Sequence, residues 1–224
     1  MGQRIDRLAI VAALERELRP ARRKIGKGAI YLAMGMGREM VETRLAMFLR
    51  QKRPPMLILT GFAGGLKPEL EGGELVLAEG VLRPGAEEIR TDEHLLAEAG
   101  EALGDVRRGR LLTVAQPASS EEKNRLGKDF QALAVDMESW WAAALARETG
   151  VPFLPLKAIL DPLDKPLPRF ISEVSANGRL TPRALLTLLG HPRELPELLR
   201  WGRAARRVSE ALAPTLSRLV EHFG

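Results

Sequence analysis

Short apolar segments alternate with longer amphipathic ones over the first 160 residues of the chain. The apolar segments have the length of buried strands, and the amphipathic segments have the spacing of helices that cover a sheet on one face. This pattern predicts strands over residues 8–13, 29–34, 56–59, 74–82, 109–114, 133–136 and 153–160. It predicts helices over residues 15–25, 38–50, 92–103, 121–126 and 139–149. Alternation of the two elements favours a largely parallel sheet with helices on both faces.

The pattern changes near residue 171, where Leu, Arg and Ala at helical spacing are interrupted by prolines. Thr181 followed by Pro182 is typical of a helix start, with a capping residue before a proline in the first turn. About 50 residues bury little surface on their own, so residues 171–224 are interpreted as a helical extension. We therefore expect one α/β domain over residues 1–224, with a mixed, largely parallel central sheet flanked by helices.

Three acids come soon after predicted strands. Glu17 comes after the first strand, Glu138 after the strand at 133–136, and Asp161 after the last strand. Ligands of open α/β sheets bind at the carboxyl ends of strands, so these acids are expected to meet in one cleft. Two or three carboxyls in different environments can protonate a leaving base, stabilise a sugar cation and activate water without a metal or cofactor. The arrangement suggests cleavage of an N-glycosidic bond.

The purely structural explanation differs from acid to acid. A glutamate near a helix start often only offsets the helix dipole, which would account for Glu17. Glu138 lies between Met137 and a serine followed by two tryptophans, where an unpaired buried carboxylate would be rare. Asp161 follows an apolar strand, and partial burial there would raise its pKa and favour the protonated acid.

Five short segments occur in the order found in the nucleoside phosphorylase superfamily, which the chain resembles over roughly residues 7–170. They are similar above all to its hydrolytic branch, the methylthioadenosine/S-adenosylhomocysteine nucleosidases and futalosine hydrolases. The run from residue 163 to 200 resembles the hopanoid-associated adenosyl nucleosidase/phosphorylase subfamily. The five segments are ALERE at 13–17, TGFAGGL at 60–66, GELV at 73–76, VDMES at 135–139 and KAILD at 157–161.

The resemblance implies a role for each acid. Asp161 would give a proton to N7 of a purine, and Glu17 would activate the attacking water. Glu138 would accept hydrogen bonds from the ribose hydroxyls, while Met137 would pack against the sugar. The substrate pocket would also be lined by residues of the glycine-rich segment, namely Phe62, Ala63 and Gly64.

The chain departs from the family pattern in four places. Leu160 stands where a serine usually precedes the catalytic acid, and Lys157 replaces a common arginine. Phe62 takes the place of a small polar residue and should reshape the anion or water side of the pocket. The loop at 115–119, where the family holds the base with an aromatic side chain, contains none. The three acids are retained, but because of these changes the resemblance defines the substrate less closely than it defines the reaction.

Composition removes several classes of function. The chain has no cysteine, and its three histidines lack the spacing of metal ligands, so we predict neither a metal nor a cofactor. The net charge is +5, but aromatic residues make up 4% and are not interleaved with the basic ones, which argues against nucleic-acid binding. Gly35-Met36-Gly37 lacks the third glycine of the motif that binds dinucleotide cofactors, which argues against an NAD-dependent oxidoreductase. Without an apolar signal core or a spanning segment, the protein is expected to be cytoplasmic.

We therefore predict an enzyme, a purine (adenosyl) nucleoside N-glycosidase that acts as a homo-oligomer. A phosphorolytic nucleoside phosphorylase is the first alternative, and Arg38 after Gly37 is a candidate cation for the phosphate. Cleavage of an adenosylhopane-type lipid nucleoside is the second, and a nucleoside-binding protein without turnover is the third.

The C-terminal segment has two interpretations. One helical face carries Leu198, Trp201, Ala205, Val208 and Leu212, and arginines lie on the other. Such a helix either packs its apolar face against the sheet or lies at a membrane surface, where it would give peripheral membrane contact.

Overall fold

A nine-stranded sheet forms the centre of the protein, for which a computed structural model describes residues 6–165 and 195–224. The strands are β1 (Ala9–Ala12), β2 (Ile30–Ala33), β3 (Leu57–Leu59), β4 (Phe62–Gly65), β5 (Leu75–Leu82), β6 (Ile89–Arg90), β7 (Arg107–Thr113), β8 (Ala134–Asp136) and β9 (Phe153–Asp161). The helices are α1 (Glu15–Ile25), α2 (Arg38–Met40), α3 (Ala46–Lys52), α4 (Glu93–Leu103), α5 (Ser120–Asp129), α6 (Ser139–Thr149) and α7 (Leu195–Phe223). A π-helical turn at Val41–Leu45 joins α2 to α3, and a 3₁₀ turn at Gly26–Gly28 follows α1.

The sheet is mixed and largely parallel, as the alternation of elements predicts. The strand order is β2-β1-β3-β9-β4-β8-β7-β5-β6, and β9 also pairs with β5. The pairings β4–β8, β5–β6 and β5–β9 are antiparallel, and the other six are parallel. The long strand β9 therefore links two parts of the sheet, because its first residues pair with β3 and its last residues pair with β4. Strands β9, β4, β8, β7 and β5 close into a ring.

Apolar composition explains why the inner strands are covered on both sides. All residues of β1 and β3 are buried, and such continuous apolar runs are typical of parallel strands between helical layers. Helix α6 packs Ala142, Ala143 and Ala146 on one layer. Helix α1 packs Leu18 and Ala21 on the other.

Helix α7 joins this second layer. Val208, Leu212, Leu216 and Leu219 are buried in the same apolar cluster as Leu18 of α1. The exposed side of the helix carries Arg203, Arg206 and Arg207. The apolar face is thus packed against the domain, which agrees with the first of the two interpretations of this segment.

Two strands were not predicted from the sequence, the short edge strand β6 and strand β4 next to the site. The glycine-rich segment after β3, for which no strand was predicted, forms strand β4 between β8 and β9. Glycine has a low strand propensity, but the hydrogen bonds to both neighbours outweigh it. A Cβ atom on Gly64 would lie 2.8 Å from Oδ2 of Asp161, so a small residue lets β4 approach the end of β9.

The expected elements between residues 166 and 194, including the helix start at Thr181, lie outside the described residues, as does most of the run that resembles the hopanoid-associated subfamily. Among the helices that the structure describes, none combines the length and the hydropathy needed to cross a membrane.

Candidate active site

A cavity of about 230 Å³ opens where β1, β8 and β9 end and β4 begins. Its wall is mostly apolar and includes Met36, Val114 and Leu160. The loop expected to hold the base contributes Pro117 and Ala118, so this side of the cavity offers apolar surface and no aromatic ring. Six of the seven predicted site residues line the cavity, namely Phe62, Ala63, Gly64, Met137, Glu138 and Asp161.

Asp161 ends β9 and is 5% exposed. Its carboxylate oxygen Oδ2 is paired with Nζ of Lys123, which comes from α5. The same Nζ donates to the backbone oxygen of Asp161 at 2.9 Å. Burial raises the pKa of the Asp161 carboxyl above its ordinary value, although the Lys123 ammonium acts in the opposite direction.

Lys123 lines the cavity and is 1% exposed. The sequence does not single it out, because it lies in a short helix rich in charged residues, where a lysine looks like part of a solvated face. Only the packing of α5 against the end of β9 shows that it is buried.

Glu17 stands behind the cavity wall and does not line it. It occupies the third position of α1, where its Oε2 accepts a hydrogen bond from the backbone N–H of Leu14 at 2.6 Å. Its Oε1 accepts one from the backbone N–H of Phe62 at 2.9 Å, and both of these neighbours line the cavity. Burial raises its pKa, partly offset by Lys157. A glycine is required at position 61, beside Glu17, because the φ of Gly61 is +119° and a Cβ atom there would lie 2.9 Å from Oε1 of Glu17.

Glu138 occupies the position just before α6 and is 6% exposed. Its Oε1 accepts a hydrogen bond from the backbone N–H of Gly37 at 2.8 Å. The glycine loop after β2 therefore serves to bring a backbone donor to this carboxylate. Burial and the neighbouring Asp136 charge raise the pKa of Glu138 to about 7.

Lys157 forms a buried ion pair with Asp136, at 2.9 Å between Nζ and Oδ2. Lys157 also donates to the backbone oxygen of Thr60 at 3.1 Å. Asp136 accepts further hydrogen bonds from the hydroxyls of Ser139 at 2.5 Å and Thr113 at 2.9 Å. Burial alone would raise the pKa of Asp136, but Lys157 and these hydroxyls hold it below its ordinary value.

The charge of Lys157 is shared by three acids. Burial alone would lower its pKa, but Asp136, Glu138 and Glu17 together raise it. We call Glu17, Asp136, Glu138 and Lys157 the Lys157 cluster. Asp136 lies inside one of the segments quoted for the family, but nothing in the sequence distinguishes it from an ordinary residue at a strand end.

The arrangement favours proton transfer and stabilisation of a cation. One part of the cavity presents a carboxyl beside a lysine, and another presents Glu138 from a cluster that has more acids than cations. Within residues 6–165 and 195–224, no group of three or more His, Cys, Asp or Glu side chains has the arrangement of a metal site.

Comparisons with known proteins point to one superfamily. The model of the phosphorylase superfamily matches residues 10–189. A 5′-methylthioadenosine/S-adenosylhomocysteine nucleosidase from Marinomonas sp. (strain MWYL1) is 26% identical over 173 residues, which cover 66% of this chain and 74% of that protein.

Two solved structures from Helicobacter pylori are similar in fold. A mutant of futalosine hydrolase from strain 26695 superposes with a TM-score of 0.72 at 17% identity, covering 97% of this chain and 99% of the other. The 5′-methylthioadenosine/S-adenosylhomocysteine nucleosidase with butyl-thio-DADMe-Immucillin-A superposes with a TM-score of 0.72 at 18% identity, covering 97% of this chain and 98% of the other.

Proposed function

The chain belongs to the phosphorylase superfamily, and we propose that it is a purine nucleoside N-glycosidase acting on an adenosyl-type nucleoside. The observation that carries this proposal is a single cavity in which Asp161 and Glu138, both buried carboxyls with raised pKa values, stand among apolar residues. The similarity to a 5′-methylthioadenosine/S-adenosylhomocysteine nucleosidase supports the same chemistry.

Asp161 is the proposed proton donor. A purine leaves readily only if it gains a proton, because the electron pair of the bond between C1′ of the ribose and N9 of the base must be accepted by the ring. In the protonated form, which burial favours, Asp161 can give its proton to N7 of the base. The base would then lie against the apolar part of the wall that Val114 and Pro117 provide.

Glu138 and Met137 are proposed to hold the ribose. A carboxylate accepts hydrogen bonds from hydroxyl groups and stabilises the positive charge that develops on the sugar. The hydrogen bond from Gly37 fixes one oxygen of Glu138 and leaves the other for this purpose. Met137 follows Asp136 on the cavity wall, where its thioether can pack against the sugar face.

Glu17 is proposed to act on the water. Each of its oxygens accepts one backbone hydrogen bond and retains a second lone pair. Burial raises its pKa, which makes it a better base than an exposed glutamate. The water would reach it between Leu14 and Phe62, the two residues whose N–H groups it binds.

Water is favoured over phosphate as the nucleophile. Phosphate binding requires convergent cations, and the segment from Leu59 to Phe62 beside the cavity has none. Arg38, the candidate from the sequence, pairs with Glu42 at 2.8 Å and lies over the ring of Trp141 at 4.4 Å. These contacts engage the Nε–H donor and one face of its guanidinium.

Further features of the proposal concern assembly and location. We propose a homo-oligomer, from the family resemblance, and a cytoplasmic location, since the chain has no cysteine from which a disulfide could form. Peripheral membrane contact and cleavage of a lipid nucleoside are less favoured, because α7 buries Ala205, Val208 and Leu212 within the domain.

Product analysis tests the function. The purified protein is incubated with 5′-methylthioadenosine, adenosine and inosine, with and without inorganic phosphate, and the products are separated by chromatography. Hydrolysis yields a free base, which is adenine from the first two substrates and hypoxanthine from inosine, and a free sugar at the same rate in both buffers. A sugar 1-phosphate formed only with phosphate would make the protein a phosphorylase, and tight binding without base release would make it a binding protein. Glu17→Gln should reduce the hydrolytic rate at least about 100-fold, in line with the loss of a general base.

A further inference from the structure

Lys123 is a buried cation that the proposed chemistry does not yet use. It is 1% exposed, although a lysine is rarely buried unless its charge is paired. Its side chain crosses from α5 to the end of β9, where it meets the carboxylate of Asp161. A residue in this place bears directly on the proposed proton donor.

The contacts of its ammonium group are fully used. An ammonium has three N–H donors, and Nζ of Lys123 has three acceptors among the described residues. These are Oδ2 of Asp161, the backbone oxygen of Asp161 at 2.9 Å and the backbone oxygen of Pro162 at 3.4 Å. No donor is left to bind a substrate. Lys123 instead fixes both the carboxylate and the backbone that carries it.

The opposite side of the pair is closed by β4. A Cβ on Gly64 would lie 2.8 Å from Oδ2 of Asp161 and 3.2 Å from Nζ of Lys123. The absence of a side chain at this position therefore allows the lysine and the acid to fit against the strand. The other oxygen, Oδ1 of Asp161, has no part in the contact with Lys123.

We propose that Lys123 is a positioning residue of the N-glycosidase reaction: it orients Asp161 and stabilises the carboxylate that remains after the proton has moved to the base. This inference rests on the proposed function. As the O–H bond of Asp161 breaks, a new N7–H bond forms, and the electron pair of the C1′–N9 bond passes to the purine. Asp161 is then left negatively charged beside an ammonium that keeps all its protons.

The charges around Asp161 make Lys123 its direct counter-ion. Helix α5 supplies Lys123, whereas the part of β4 that faces the acid is uncharged. Asp136 and Glu138 of the Lys157 cluster and Arg16 of α1 also line the cavity. Beyond the end of β9, Asp164 and Lys165 are exposed to solvent.

The pair predicts a specific pH dependence. Asp161 must be protonated to act, so activity should fall as the pH rises through the pKa of its carboxyl. Burial raises that pKa and Lys123 lowers it. Without the lysine, the pKa should rise further, so the alkaline limb of the profile moves to higher pH. The maximal rate should nevertheless fall, because the carboxylate formed in the reaction has lost its counter-ion.

The test compares Lys123→Met and Lys123→Arg with the exposed Lys128→Met on the same helix, using 5′-methylthioadenosine as substrate and adenine release as the readout. For Lys123→Met we expect at least about a tenfold loss of maximal kcat, with KM within about threefold. Its alkaline limb should move up by about one pH unit or more, since a neighbouring opposite charge lowers a carboxyl pKa by about that much. Lys123→Arg keeps the positive charge, so the alkaline limb of its pH profile should stay where it is in the wild type. Lys128→Met should match the wild type in both kcat and pH profile.

A double variant separates positioning from a structural role. In the Asp161→Asn background, Lys123→Met should cause no further loss of kcat, because there is no carboxylate left to stabilise. An unmoved alkaline limb in active Lys123→Met, or independent losses in the double variant, would overturn the inference. Lys123→Gln serves in the same way if the methionine variant does not fold. Absence of base release by the wild type would instead refute the proposed function itself.

Discussion

The two charged regions of the cavity are built differently. At the end of β9, one acid, Asp161, is matched by one lysine, Lys123. In the Lys157 cluster, three acids share a single lysine. Both regions are buried, so solvent screens neither of them well. The first is electrically balanced when its acid is ionised, and the second carries an excess of negative charge when all three of its acids are ionised.

This difference suits the two halves of the proposed reaction. A proton must leave Asp161, and a nearby ammonium makes that departure easier by stabilising the carboxylate. A positive charge develops on the ribose, and an excess of buried carboxylates stabilises it. Burial, and after it the charge of Asp136, raises the pKa of Glu138 to about 7, so this residue keeps its proton to an unusually high pH. Each of the following changes alters one of the two regions.

Asp161→Asn should give the largest effect. The amide has nearly the same volume as the acid but cannot donate the proton, so kcat should fall by roughly two to four powers of ten. The exposed Asp164→Asn, three residues further along, is the matched control and should retain activity. Adenine release from 5′-methylthioadenosine measures both. Near-normal turnover by Asp161→Asn would remove this residue from the mechanism.

Lys157→Met should destabilise the fold most strongly. The change leaves Asp136 without the partner that lies 2.9 Å away and leaves the three acids of the cluster without a cation. Breaking a buried ion pair on one side costs about 3–5 kcal/mol, so the free energy of unfolding should decrease by about that amount. Urea denaturation at neutral pH measures it, with the exposed Lys52→Met as a control. A loss no larger than that of the control would mean that the cluster does not depend on Lys157.

Glu138→Gln should change how stability depends on pH. The pKa of Glu138 is raised from 4.5 to about 7, so between these values the folded protein holds a proton that the unfolded chain has released. Stability from this residue is therefore lost as the pH rises through that window, by at most roughly 3 kcal/mol. The glutamine variant should lack this loss, because its amide does not titrate. Parallel curves for the two proteins between pH 4 and pH 8 would contradict the raised pKa.

The fold and the places of Glu138 and Asp161 in one cavity were largely predictable, for a physical reason. Apolar strands and amphipathic helices leave a periodic pattern, and acids at or soon after the carboxyl ends of strands are expected near that edge of the sheet. Strand β4 was not predictable, because the pairing of Gly64 and Gly65 with β8 comes from the tertiary fold and not from local preference. The recessed place of Glu17 also depends on tertiary contacts, since its second hydrogen bond comes from Phe62, 45 residues away.

The lysines show the same limit. Lys157 lies within an apolar strand, and the sequence marks it as unusual for that reason. Lys123 lies among charged residues of α5 and becomes distinctive only when Asp161, 38 residues away, is placed beside it. A sequence pattern reports the environment along the chain, whereas the charge of a buried site depends on neighbours across it.

Leu160→Ser should have the smallest effect and tests which partner Asp161 relies on. The family resemblance places a hydroxyl before the acid, where this chain has an apolar side chain on the cavity wall. If Lys123 already fixes Oδ2 of Asp161, an added hydroxyl has little left to orient, and kcat should change by less than about threefold. The same substitution in the Lys123→Met background should restore part of the lost rate, because the serine then offers the only nearby side-chain donor to the acid among the described residues. Steady-state rates of the four proteins decide the matter. A large gain from Leu160→Ser with Lys123 intact would show that the lysine leaves Asp161 poorly oriented.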